Sequence, residues 1–225
     1  MPAGVHFSGV SAGMSKGVQF LMKKNKIRII GDYDVDGVTS TYILYEGLKT
    51  IGGDVSYDIP HRVDDGYGIN NNLIDKAHED GVKCLITCDN GIAARDAVDY
   101  AKSLNIDIII TDHHEVPKIL KDGKEVEVLP ETSAVIDPKQ SACSYPFKEI
   151  CGGVVAFKLI EYLFLIKGVD KEEFYEKFLP YAAIATVCDV MPLTNENRII
   201  VSEGLKLLRT TRDLGLNALI EAADI

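Results

Sequence analysis

Through the first 137 residues, short apolar runs alternate with amphipathic stretches. IRIIG (27–31) is a β-branched run closed by glycine, as a buried parallel strand requires. Helical spacing follows from Val38 to Leu48 and stops at Gly52-Gly53. DVSYDI (54–59), KCLITC (83–88) and IDIIIT (106–111) repeat the strand pattern, while NNNLIDKAHEDG (70–81) and AARDAVDYAKSLN (93–105) repeat the helical one. A polar excursion at 117–130 predicts a hairpin or flap, and SAVID (133–137) a fifth strand. Ahead of all these, residues 14–26 predict a short helix with a basic end.

From Gly152 onward no strand pattern returns. GGVVAFKLIEYLFLIKG, KEEFYEKFLPYAAIATVCDV, NRIIVSEGLKLLRTT and LGLNALIEAA all carry helical spacing. The expected class is therefore α/β: a five-stranded, mainly parallel sheet with helices on both faces, followed by a helical C-terminal layer. A soft boundary falls near residue 148, dividing 1–148 from 149–225. The chain stops at Ala-Ala-Asp-Ile, inside or just after a helix, which predicts a longer parent protein.

Composition narrows the classes. With 46% hydrophobic and 26% charged residues the chain is an ordinary globular sequence, and no apolar run approaches bilayer length. The N-terminus lacks a basic flank followed by an apolar core, so the expectation is a cytoplasmic protein without a membrane partner. The five cysteines contain no C-x-x-C pair; Cys84, Cys88 and Cys188 lie in apolar stretches and read as buried thiols, in keeping with a reducing compartment. A formal charge of −10, from 34 acidic and 24 basic residues, has the wrong sign for gripping nucleic acid by bulk electrostatics. The position of the acids changes that picture.

In parallel α/β sheets, ligands bind beyond the carboxyl ends of the strands. Beyond the first strand stands Gly31-Asp32-Tyr33-Asp34-Val35-Asp36-Gly37, beyond the third Asp89-Asn90-Gly91, and beyond the fourth Asp112-His113-His114-Glu115. Taken singly, each has a plainer reading. D-x-D-x-D-G also opens an EF-hand loop, but the twelfth position, where that loop needs glutamate, is Ile43. Asp89 and Asp112 could be helix caps, and the two histidines surface residues. Three strand ends carrying the same chemistry point instead to joint binding of divalent cations, which would relieve the repulsion among the carboxylates. Carboxylates with one or two imidazoles suit Mn2+ or Mg2+ better than zinc.

GDYDVDG, TCDNG and TDHHE resemble the first three motifs of the DHH phosphoesterases, and ATVCDVMPL supplies Asp189 in the setting of the fourth. IPHRVDDGYG (59–68), YPFKEICGGVVAFKL (145–159) and GLKLLRTTRDLGLNALIEAAD (204–224) resemble the RecJ-type single-strand exonucleases within that family. The resemblance implies a DHH metal-binding core in 1–148 and, in 149–225, a helical part of the same catalytic module that carries Asp189. It implies two Mn2+ or Mg2+ ions: one held by Asp36, Asp89, His113 and Asp189, the other by Asp34 and Asp89 with Asp32 as a further candidate. Asp89 would bridge them. His114 would meet the substrate phosphate or the leaving group, or merely orient a neighbour. Arg62 is the candidate phosphate clamp against a plain surface arginine, and Tyr67 could stack on a base or simply pack. Two departures stand out: Asp137 where relatives carry Asn, and Ala185 where a glycine is common.

The function implied is two-metal hydrolysis of phosphodiester bonds in single-stranded nucleic acid, DNA rather than RNA, releasing nucleotides. One rival is hydrolysis of a small substrate such as pyrophosphate, a cyclic dinucleotide or a short oligonucleotide. Family pyrophosphatases place a histidine where this chain has Ile30, which argues against that branch. The other rival, a non-catalytic scaffold, would be expected to have lost ligands that are all present here. The family resemblance also implies a second, substrate-holding domain beyond this chain, hence weak strand binding by the chain alone.

Overall fold

A computed structural model describes residues 25–61 and 68–224. In chain order the described strands are β1 (Lys26–Ile30), β2 (Asp54–Asp58), β3 (Cys84–Cys88), β4 (Asp107–Thr111), β5 (Lys118–Lys121), β6 (Lys124–Glu127) and β7 (Ala134–Ile136). The helices are α1 (Val35–Thr50), α2 (Asn71–Glu79), α3 (Arg95–Ser103), α4 (Gly152–Lys167), α5 (Lys171–Cys188), α6 (Asn195–Leu208) and α7 (Leu214–Ala222).

Five strands form one sheet in the order β2-β1-β3-β4-β7, every pairing parallel. Both faces of the central strand β3 are covered, and all five of its residues are buried. Ile27, Ile29, Cys84, Ile86, Ile109 and Ile136 pack on one side into a core with α1, α4 and α5. On the other side, Ile30, Leu85, Ile108 and Ile110 meet α2 and α3 through Leu73, Ile74, Ala77, Val98 and Ala101. The excursion after β4 is a two-stranded hairpin, β5–β6, turned by Asp122 and Gly123, both at positive φ (52° and 74°).

From β1 the chain steps one way to β2 and then back across β1 to β3. The carboxyl ends of β1 and β3 are therefore adjacent at a topological switch point, where such sheets open a crevice.

Three expectations need comment. Helix α1 begins at Val35, not Val38, because Asp34 caps it: its Oδ1 accepts the Gly37 N–H at 2.8 Å. Apolar periodicity is blind to this polar first turn, yet it puts Asp36 on the helix. Cys188 is exposed, although Cys84, Cys88 and Cys151 are buried; it is the last residue of α5, where the helix stops short of the core. The predicted helix at 14–26 lies almost wholly outside the described residues. Among the described residues, no helix is long and apolar enough to cross a membrane.

Candidate metal centre

The residues singled out at three strand ends converge, and Asp189 joins them from the end of α5. Asp36 and Asp89 are each 2% exposed. His113 Nε2 stands 3.0 Å from Asp89 Oδ1, 3.6 Å from Asp36 Oδ2 and 3.8 Å from Asp189 Oδ2. Ligand atoms of Asp36, His113 and Asp189 lie within 4.8 Å of one another, as do those of Asp32, Asp34 and Asp89 and those of Asp89, His113 and His114. Asp89 belongs to two of the three groups. Arg62 and Tyr67 lie outside the described residues.

Local structure explains how each side chain is held. Asp89 has φ 61°, and its N–H donates to Thr111 O at 3.1 Å, so it leaves β3 in a left-handed turn that Asp tolerates better than most residues. Asn90 ties the turn down: its Nδ2 donates to Ile30 O (3.1 Å) and Cys88 O (2.9 Å), and its Oδ1 accepts the Ile69 N–H (3.1 Å). Asp36 reaches across the sheet edge to α4, accepting the Gly152 N–H through Oδ2 and the Gly153 N–H through Oδ1, each at 2.7 Å. Backbone this close leaves no room for side chains: a Cβ on Gly152 would fall 2.8 Å from Asp89 Cβ.

Asp112 has a role that sequence reasoning missed. Its Oδ1 accepts the His113 N–H at 2.8 Å and faces His114 Nδ1 at 2.7 Å, while its Oδ2 accepts the Ile92 N–H at 2.9 Å. It is not a helix cap but the anchor of the two-histidine loop and the orienter of His114. The only signal in sequence was its place directly before the histidines. The Gly152-Gly153 pair was also legible only as the start of a helix.

The electrostatics are those of crowded acids. Burial, then the charge of Asp89, pushes Asp36 up to about 7. Burial, then Asp34, pushes Asp89 up to about 8, and burial raises Asp189 as well. His114 is raised to about 9, chiefly by its hydrogen bond to Asp112. Burial also works to raise Asp112, but the hydrogen bond and charge of His114 and the N–H groups of Ile92 and His113 outweigh it and leave it below the usual carboxylate range. Buried acids that resist ionisation beside one another are the donor set that divalent cations fit, since a cation removes the cost of charging them.

Asp137, one residue beyond β7, sits beside Asp112 at the same edge, next to the Thr111–Ile136 pair. It is 2% exposed; Oδ1 accepts the Lys139 N–H at 2.7 Å, and Oδ2 has no hydrogen-bond partner among the described residues. Burial pushes it up to about 7. Ala185 is fully buried, its Cβ filling the space over Gly153.

Fold and site together define a doubly wound α/β domain with a cluster of acids and histidines at its switch point that fits a divalent cation. The sequence profile of the DHH family, N-terminal domain, matches residues 26–186, and the chain belongs to that family. It is 43% identical over 203 residues to the single-stranded-DNA-specific exonuclease RecJ of Bacillus subtilis (strain 168), a match covering 90% of this chain and 24% of that protein. To the Escherichia coli (strain K12) exonuclease of the same name it is 33% identical over 228 residues, covering 95% and 38%. The crystal structure of an exonuclease RecJ bound to manganese matches with a TM-score of 0.82 at 30% identity, over 98% of this chain and 54% of that one. RecJ from Thermus thermophilus in complex with Mn2+ matches at 0.78 and 28% identity, over 98% and 30%. An exopolyphosphatase-related protein from Bacteroides fragilis, at 15% identity and a TM-score of 0.54, shares the fold alone. The chain thus spans between about a quarter and two fifths of the length of the two curated relatives.

Proposed function

We propose that this chain is a catalytic module that hydrolyses phosphodiester bonds in single-stranded nucleic acid, DNA rather than RNA, with two Mn2+ or Mg2+ ions. The observation that carries the reading is the sharing of Asp89 between the Asp32–Asp34 and His113–His114 clusters, close beside Asp36 and Asp189. Similarity to manganese-bound exonucleases over nearly the whole chain supports it.

In this reading Asp36, Asp89, His113 and Asp189 hold one ion; Asp34, Asp89 and Asp32 hold the other. The pair, when bound, would lower the pKa of a water and neutralise charge on the attacked phosphate. The protein's own contribution is preorganisation. Asp36 cannot turn away, because both oxygens are engaged by the first N–H groups of α4. Asp89 is fixed by its turn and His113 by the Asp112-anchored loop. His114, half exposed, is hydrogen-bonded through Nδ1 to Asp112, and that contact favours its protonated form. In that form it would donate a hydrogen bond to a phosphate oxygen or to the leaving oxygen. Arg62, from the segment that follows β2 in sequence, would add a guanidinium to the phosphate.

The test is incubation of a labelled single strand with the protein and manganese, beside a dinucleotide, pyrophosphate and an RNA strand. Metal-dependent shortening of the DNA strand is expected. Turnover of pyrophosphate or the dinucleotide alone would replace this reading with a small-molecule phosphoesterase, and no turnover of any substrate with a scaffold.

A further inference from the structure

Helix α5 ends in a two-bond cap: the Val190 N–H donates to Val187 O and the Met191 N–H to Thr186 O, both at 3.1 Å. This cap needs its penultimate residue in the left-handed region, a place glycine ordinarily takes. Here Val190 takes it, at φ 55°, a conformation in which a β-branched side chain is strained. Among the described residues Val190 is 87% exposed, so burial of its side chain does little to offset that strain. Strain kept at an exposed aliphatic side chain fits a contact with a bound molecule.

Its surroundings narrow what that is. Val190 directly follows Asp189, and Val187 (49% exposed) precedes it by two residues. Leu193 is exposed just beyond. Across the ligand set, Val35 and Val38, also exposed, flank Asp36 in the first turn of α1. The ligand-bearing residues of α1 and α5 are thus each bracketed by exposed aliphatics carrying no charge. A phosphate would gain nothing there, but the flat apolar face of a base would.

We propose that Val190, with Val187 and Val35, forms an apolar rim that receives the nucleobase adjoining the scissile phosphate, a substrate-binding contact indifferent to base identity. This rests on the reading of the chain as a single-strand phosphodiesterase.

The test compares the wild-type chain with Val190→Gly on oligothymidylate and on an otherwise identical abasic strand, with manganese. Glycine suits the cap, so V190G should melt at the same temperature or higher and bind Mn2+ as the wild type does by calorimetry. On oligothymidylate its KM should rise at least fivefold with kcat within twofold. On the abasic strand the two proteins should be alike. Equal KM on oligothymidylate, or the same rise on the abasic strand, overturns the rim while leaving the activity standing. A lower melting temperature for V190G would make Val190 a structural residue and also overturn it. A wild-type chain inactive on both strands sinks the functional reading and the rim together.

Discussion

The Gly153 N–H donates to Asp36 Oδ1 at 2.7 Å, joining two residues 117 positions apart. Helix α4 thus points its N-terminus, where a helix favours negative charge, at a carboxylate of the proposed ligand set. The contact depends on glycine: a Cβ at 153 would come within 2.5 Å of Ala185 Cβ and 3.0 Å of Asp36 Oδ1. Gly153→Ala should cost about 1–3 kcal/mol by overpacking and weaken manganese binding. Melting and calorimetry check both, and wild-type values for each would remove the anchoring role.

Asp89 and His113 come from separate strand ends and meet at 3.0 Å. Asp89→Asn keeps a side chain that accepts positive φ, so the fold should survive while the bridging charge is lost. D89N and His113→Ala should each reduce strand hydrolysis to background with an unchanged circular dichroism spectrum. Near-wild-type turnover by either folded variant would dismantle the two-ion assignment.

Without metal, Asp36 near 7 and Asp89 near 8 hold protons that the unfolded chain, with acids near 3.8, has given up. The folded state therefore binds more protons, and its stability in EDTA should fall as pH rises from about 4 to 8. Manganese must displace those protons, so its affinity should climb over the upper part of that range. At a hundredfold excess over Kd the ion adds about 2.7 kcal/mol, which should raise the melting temperature by several degrees over EDTA at pH 8. Identical curves with and without manganese would speak against a preformed site.

Asp112 raises His114 to about 9 through their hydrogen bond. Asp112→Asn removes that charge and should return His114 toward its ordinary value, about 6.5. If protonated His114 assists the reaction, the alkaline limb of the pH–rate profile should move down with it. A limb that stays in place would mean that the protonation of His114 does not set it.

Asp137 is a buried acid with one unpartnered oxygen, raised to about 7. Ionising it in the fold is unfavourable, so Asp137→Asn should stabilise the protein. The gain should be complete above pH 7 and vanish near pH 4, where the acid is neutral in both states. Every tenfold change in the acid's ionisation constant corresponds to about 1.4 kcal/mol. Thermal melts at pH 5 and pH 8 check it; a variant no more stable at pH 8 would mean Asp137 has a partner in solution.

Much of this protein was legible before folding was considered. Apolar period placed the five sheet strands and the four C-terminal helices to within a few residues, because buried strands and amphipathic helices impose their spacing locally. The acids and histidines at three strand ends were legible for the same reason: a parallel sheet sends every strand end to one edge. What local pattern could not carry was anything set between distant segments. The meeting of Asp36 with Gly152 and Gly153 joins an acid to a helix that begins 116 residues later. The turn of Asp112 onto His114 Nδ1 is a side-chain choice that no spacing encodes, and the exposure of Cys188 follows from where α5 happens to stop. The strain at Val190 depends on backbone angles fixed by the end of that helix. Sequence determined which chemistry reaches the sheet edge; only the tertiary structure decided which groups hold one another there, since those contacts arise from packing across the chain and not along it.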